Sequence, residues 1–172
     1  MKIVKGILLG ILAIIVIALI VAAILPKTFT SEREIVINKP RSEVFEYIKY
    51  IKNQDNFGVW QLSEPDLKKT FEGTDGTVGF KYSWDGKKLG KGSQTITNIV
   101  EGEKVESKLD FGFGDPATAH FITTDAGPGQ TKVTWGISGK SPYPFNIMSL
   151  FYDMGDDFEK GLQNLKNVLE KQ

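Results

Sequence analysis

The stretch Phe151-Tyr-Asp-Met-Gly-Asp-Asp-Phe-Glu-Lys-Gly-Leu-Gln-Asn-Leu-Lys-Asn-Val-Leu169 decides how the rest of the chain must be arranged. Phe151, Met154, Phe158, Leu162, Leu165 and Leu169 recur at intervals of three and four, which puts them on one stripe of an α-helix. Such a helix needs a partner surface for that stripe. Upstream, Ser141 can cap it, and Pro142 and Pro144 fall among the first positions, whose N–H groups have no intrahelical partner. The pattern predicts one helix from about Tyr143 to Glu170, about 40 Å long at ~1.5 Å per residue. Asp153, Asp156 and Asp157 lie away from the stripe, so with Glu159 they read as a solvated face and not as metal ligands.

The partner surface is written into the middle of the chain. From Leu67 to Lys140 the hydrophobic period is two, interrupted by turns at Gly73-Thr-Asp-Gly76, Asp85-Gly86, Glu101-Gly102 and Gly127-Pro-Gly129. Val78, Phe80, Tyr82 and Trp84 alternate with small or polar residues, as do Val105, Leu109, Phe111 and Phe113, and then Val133, Trp135 and Ile137. This spacing predicts an antiparallel meander with one strongly aromatic face. In the strand around the single histidine, Ala117, Ala119, Phe121 and Thr123 form the inward set, which turns His120 outward, away from any role in a cavity.

Before the meander, Phe29 to Ile37 alternates as a strand, with Phe29, Ile35 and Ile37 on one side and Thr30, Glu32 and Glu34 on the other. Asn38-Lys39-Pro40 then reads as a helix start with Asn38 as cap, and Val44, Phe45, Ile48 and Ile51 follow at helical spacing to about Asn53. Strand, short helix, antiparallel strands and terminal helix thus follow in order. Joined to Glu34-Ile-Val-Ile-Asn-Lys-Pro40, Val44-Phe45-Glu-Tyr47-Ile48 and Trp60, this order resembles the START-like helix-grip superfamily, which includes polyketide cyclase/dehydrase and lipid-transport proteins. The resemblance runs over residues 28–172 and rests on no catalytic signature.

The resemblance implies an α+β fold: a curved antiparallel sheet around a long C-terminal helix, with a cavity between them that binds hydrophobic ligands in many members. Tyr82, Trp84, Phe111, Trp135, Phe151 and Phe158, with Phe113 beside them, are the candidate lining of that cavity; ordinary core packing is the competing reading for each. Gly155 and Gly161 flank the helix stripe, where a missing side chain allows either close helix–sheet approach or room for a guest. No catalytic residue, metal ligand or cofactor motif can be assembled. Gly73–Gly76 and Gly112-Phe-Gly114 are turns or bulges, too short for phosphate loops, and no nucleophile elbow is present.

Ahead of this domain the chain has a different character. After a short basic tail, residues 1–5, Gly6 to Leu25 contains no charged or hydrogen-bonding side chain, and fourteen of its twenty residues are Ile, Leu or Val. At about −0.3 to −0.6 kcal/mol each, those fourteen favour bilayer insertion by roughly −4 to −8 kcal/mol, and the segment spans roughly 30 Å as a helix. A transmembrane helix over residues 6–25 is the expectation, with a cleaved secretory signal as the alternative, since Val21-Ala22-Ala23 supplies small residues. The run is longer than the ~7 to 15 residues of a signal's apolar region, which favours retention. Lys2 and Lys5 ahead of the run place the N-terminus in the cytoplasm and the domain outside it. Only Pro26 and Lys27 separate the span from the first strand, so an uncleaved anchor holds the domain within about 8 Å of the lipid headgroups.

Composition sets the outer bounds. Lys and Arg number 21 against 21 Asp and Glu, and Lys2 and Lys5 precede the apolar run, so the chain beyond that run carries 19 against 21, with no basic footprint for nucleic acid. The absence of cysteine removes disulfides and thiolate chemistry. The expected function is membrane-anchored binding of a hydrophobic small molecule or lipid. The alternatives are a polyketide cyclase/dehydrase-type enzyme and a protein-interaction domain with a filled core. Ligand identity and oligomeric state are not written in the sequence.

Overall fold

The computed structural model describes every residue except Met1, Tyr152 and Gln172. Helix α1 (Lys2–Ile24) is followed by strand β1 (Thr28–Ile37), helix α2 (Arg41–Lys49), a 3-10 segment (Ile51–Asn56) and a short helix α3 (Val59–Ser63). Six strands come next: β2 (Lys68–Glu72), β3 (Lys81–Asp85), β4 (Lys91–Val100), β5 (Lys104–Asp110), β6 (Ala117–Gly127) and β7 (Gln130–Lys140). A second 3-10 segment (Phe145–Leu150) and helix α4 (Gly155–Glu170) complete the chain. The strands form one sheet in the order β1-β7-β6-β5-β4-β3-β2, in which β2 to β7 pair in sequence as an antiparallel meander and β1 closes the edge beside β7.

The chain divides into two compact units, Met1–Phe29 with Lys140–Asp153, and Thr30–Gly139 with Met154–Gln172. The larger unit holds the core. Ile37 from β1, Val44, Phe45 and Ile48 from α2, Phe57, Phe80, Ile96, Val133 and Ile137 join Phe158, Leu162, Leu165 and Leu169 of α4, all essentially buried. The α4 stripe is therefore as expected from Phe158 onward. Its contact with the sheet runs through Trp135, whose ring centroid lies 5.1 Å from that of Phe158.

Several local expectations are corrected. Helix α4 starts at Gly155, so it is 16 residues and about 24 Å long instead of about 40 Å. Ser141 does not cap it; its N–H donates to the Lys27 carbonyl at 2.8 Å. The residues after it turn as the 3-10 segment, in which Asn146 is committed elsewhere. In the smaller unit Asn146 is fully buried and its side-chain amide donates to the carbonyls of Ala22 (2.7 Å), Leu25 (3.2 Å) and Pro26 (3.4 Å). Ala22 is in the last turn of α1, where Pro26 has no N–H to take its carbonyl, and Leu25 and Pro26 lie just past the helix, so Asn146 acts as a cap from a distant part of the chain.

Asn38 does not cap α2, whose N-cap is Pro40. The Asn38 N–H donates to Glu170 Oε1 at 2.7 Å and its Oδ1 accepts from Gln130 at 2.7 Å, which ties the end of β1 to α4 and β7. Strand β3 begins at Lys81, not Val78: Gly79 takes φ +92°, which interrupts the extended run and leaves Val78 60% exposed. Helix α1 is as long and apolar as expected, and every large apolar side chain from Ile3 to Ile20 is exposed. By length and composition it can cross a bilayer, and the same properties fit a signal sequence.

Candidate functional site

Two aromatic clusters face one cavity in the larger unit. Trp135 of β7 stacks on Phe121 of β6 at 4.8 Å and meets Phe57, Trp60 and Phe158 edge-on at 5.5, 5.7 and 5.1 Å. A second run passes from Tyr82 to Trp84 (5.6 Å) and on to Phe111 (6.2 Å). Between them is a cavity of about 130 Å³.

The cavity exists because the sheet carries small and flat groups where large ones would fill it. Ala119 of β6 is one wall residue with little side chain. Gly92 stands opposite Trp84 in the β3–β4 register, and a Cβ there would collide with the indole, so the missing side chain lets the Trp84 ring lie against β4. Gly161 does the same for Trp135: its Cβ would come 2.5 Å from Trp135 Cζ3. Gly155 faces the Arg33 guanidinium in the same manner. Both helix glycines thus serve close approach, and neither opens room for a guest.

The polar groups at the cavity are few and uncharged. Gln54 comes from the first 3-10 segment, Gln61 from α3, Tyr82 from β3 and Gln94 from β4, where it pairs with Tyr82 on one side and Leu109 on the other. The Tyr82 hydroxyl and Gln61 Oε1 are buried and make no hydrogen bond within the protein. Such groups are costly to leave unpaired, at about 1–3 kcal/mol each. Burial, with a smaller contribution from Asp55, pushes the Tyr82 phenol up to about 12, so it stays a neutral donor. No Asp, Glu, His, Lys or Arg is among the lining residues. The site therefore offers orientation by hydrogen bonds and no side chain fitted to move a proton at neutral pH.

One rim of the cavity is held by an anion. Leu89 sits in the β3–β4 turn, and the backbone N–H groups of Lys87, Lys88 and Leu89 donate to the Glu64 carboxylate at 2.6, 3.2 and 3.1 Å. Burial alone would raise the Glu64 pKa, but the three amides outweigh it and hold the carboxyl below its usual value.

Of the six candidates named from the sequence, Tyr82, Trp84, Phe111, Trp135 and Phe158 line the cavity. Phe151 does not. It is 77% exposed in the smaller unit, because its segment leaves the helical phase that placed it on the stripe. Phe113, past the end of β5, is 80% exposed, with its ring centroid 6.3 Å from that of Phe111, and is not among the lining residues. His120 lies on the other face of β6, with Nε2 3.3 Å from a Glu32 carboxylate oxygen, and does not reach the cavity. The sequence reading passed over Gln54, Gln61 and Gln94. The signal was present for Gln94, a polar residue two places from Ile96 on the inward side of a strand.

The sequence matches no protein-family profile and no curated protein. Its structure does match solved ones. Norcoclaurine synthase from Thalictrum flavum aligns over 84% of this chain and 95% of its own with a TM-score of 0.65 at 9% identity. Major latex-like protein 151 from Panax ginseng aligns over 83% and 98% with a TM-score of 0.59 at 15% identity. The fold is the helix-grip fold. The Aha1 dimer from Colwellia psychrerythraea matches over 83% of this chain and 96% of its own with a TM-score of 0.58 at 13% identity, so the shared architecture extends over most of the chain. At these identities the likeness is one of fold.

Proposed function

We propose that this helix-grip protein is a membrane-tethered binding module for a small, neutral, largely apolar molecule bearing a hydroxyl group, with a single-ring phenol as the concrete case. The observation that carries the reading is the pairing of an aromatic cavity with two buried, unpartnered polar atoms, Tyr82 Oη and Gln61 Oε1. A ligand hydroxyl brought against these two atoms would donate to Gln61 and accept from Tyr82. Size narrows the class further. About 130 Å³ is close to the ~150 Å³ apolar cavity that admits benzene and is below the ~300 Å³ at which pockets for drug-sized molecules begin. A two-chain lipid or a polycyclic polyketide is therefore a poor fit. Norcoclaurine synthase, of the same fold, has been solved in complex with dopamine and hydroxybenzaldehyde, both single-ring molecules.

We read the site as one for binding: its lining carries no charged group, and its one titratable side chain, Tyr82, is raised to about 12. Retention of α1 as an anchor is supported by Asn146, because cleavage after Ala23 would remove the Ala22 carbonyl that the buried amide caps. The N-terminus is read as cytoplasmic and the domain as outside, from Lys2 and Lys5.

The test uses the full chain in lipid nanodiscs, titrated with phenol and with benzene while tryptophan fluorescence is followed. Both ligands should quench saturably, phenol more tightly. Tyr82→Phe should weaken phenol by about 2- to 10-fold, the worth of one net hydrogen bond, and leave benzene unchanged. Non-saturable quenching by both ligands would overturn the reading.

A further inference from the structure

The smaller unit contains a surface that the cavity does not explain. From Ser141 to Phe151 the chain carries no charged residue, and it includes Tyr143, Phe145, Ile147, Met148, Leu150 and Phe151. Five of these face out: Tyr143, Phe145, Met148, Leu150 and Phe151 are 46%, 69%, 58%, 56% and 77% exposed. The only fully buried side chain of the segment is the polar one, Asn146, so a hydrophilic residue is inside and the apolar residues are outside. That inversion is the opposite of what water selects.

The position of the segment within the unit is fixed by hydrogen bonds. Asn146 holds the carbonyls of Ala22, Leu25 and Pro26, and the Ser141 N–H holds the carbonyl of Lys27. The exposed aromatic surface is thereby pinned beside the last turn of α1, where the apolar run meets Pro26-Lys27. An apolar surface continuous with the end of a bilayer-crossing helix, uncharged and rich in aromatic side chains, matches the boundary between acyl chains and headgroups.

We infer that Tyr143 to Phe151 is a second membrane element, an interfacial wedge that lies in the lipid at the level of the last turn of α1 and fixes that end of the helix relative to the bilayer surface. The inference rests on the reading of α1 as a retained anchor. The occupant of the surface is lipid. The segment does not cross the bilayer, since its ~10 residues are too few for a span, and it sits roughly 5–10 Å into the headgroup and acyl boundary.

The chain has no cysteine, so single labels are unambiguous. The full chain is reconstituted in phosphatidylcholine vesicles with an environment-sensitive fluorophore on one of Ile14→Cys, Phe145→Cys, Met148→Cys, Phe151→Cys or Val78→Cys. All five positions are exposed, so the substitutions leave packing intact. Quenching by aqueous iodide is compared with quenching by nitroxide lipids labelled at shallow and deep positions. At Phe145, Met148 and Phe151 iodide should quench about threefold less than at Val78 and the shallow nitroxide should quench most, while Ile14 responds to the deep one. If the three sites quench with iodide as Val78 does while Ile14 remains in lipid, the wedge is overturned and the anchor stands. If they are shielded from iodide yet untouched by both nitroxides, a second copy of the chain covers them and the wedge is again overturned. Iodide access at Ile14 would remove the anchor and the wedge together.

Discussion

Replacing Gly161 with alanine separates close packing from empty space at the centre of the site. A Cβ at this position would lie 2.5 Å from Trp135 Cζ3 and 3.3 to 3.4 Å from Cη2 and Cε3. The indole has little freedom to move, since Phe121 stacks on it at 4.8 Å and Phe57, Trp60 and Phe158 stand at 5.1 to 5.7 Å. Overpacking of this kind costs about 1–3 kcal/mol. Against it stands the gain in helix propensity, about 1 kcal/mol for glycine to alanine within a helix. The balance is a loss of about 0–2 kcal/mol, or up to roughly 4–8 °C in Tm for a chain of this size. Thermal unfolding of the full chain in nanodiscs, followed by tryptophan emission, reads both the loss and a shifted Trp135 environment in the folded state. The same exchange at a site without a neighbour would raise stability by about 1 kcal/mol. If Gly161→Ala raises Tm and leaves the emission unchanged, the indole is not packed on Gly161 and the account of the cavity wall is wrong.

Tyr82→Phe removes a buried hydroxyl with no partner, so the unliganded protein should gain up to about 1–3 kcal/mol in chemical denaturation; a loss of that size would reveal a partner for Oη inside the protein. Glu64 has a folded-state pKa below its usual value, so its contribution is present above the unfolded pKa and is lost as pH falls through the folded one. Hydrogen exchange at the Lys87, Lys88 and Leu89 amides should rise, relative to other turns, as pH drops below the ordinary carboxylate range, and Glu64→Gln should show the same loss at neutral pH; equal protection in both proteins would refute the carboxylate clamp. Asn146→Ala leaves the carbonyl of Ala22 without its cap, which should cost about 1–3 kcal/mol locally and speed amide exchange at Asn146 to Phe151 by roughly 5- to 100-fold; unchanged exchange would mean the cap does not hold the segment.

Much of the fold was legible because its signals are periodic. The stripe from Phe158 to Leu169 needs a sheet to cover it, and the alternation around Tyr82, Trp84, Val133 and Trp135 describes that sheet. Residues 141–154 were misread because the pattern there is overridden from outside: Asn146 is taken by carbonyls more than a hundred positions earlier in the chain, which no local period encodes. The aromatic half of the site was legible for the same periodic reason, and Phe151 was lost with the helical phase. The polar half was not, because whether Gln61 on α3 finds a partner depends on how that short helix packs against the first 3-10 segment and α4, which no local period encodes. Cavity size is a non-local property as well, set by Ala119 and by the depth to which Trp84 and Trp135 sink over Gly92 and Gly161.

The most direct test of the central claim is to locate a bound phenol by NMR in the full chain with labelled methyl groups. The account predicts saturable shifts of the Ala119, Leu109 and Met154 methyls and intermolecular contacts from the phenol ring to Ala119 and Met154, which line the cavity between the two aromatic clusters. Shifts that grow linearly with phenol, or contacts confined to exposed positions such as Val78 and Val100, would contradict it.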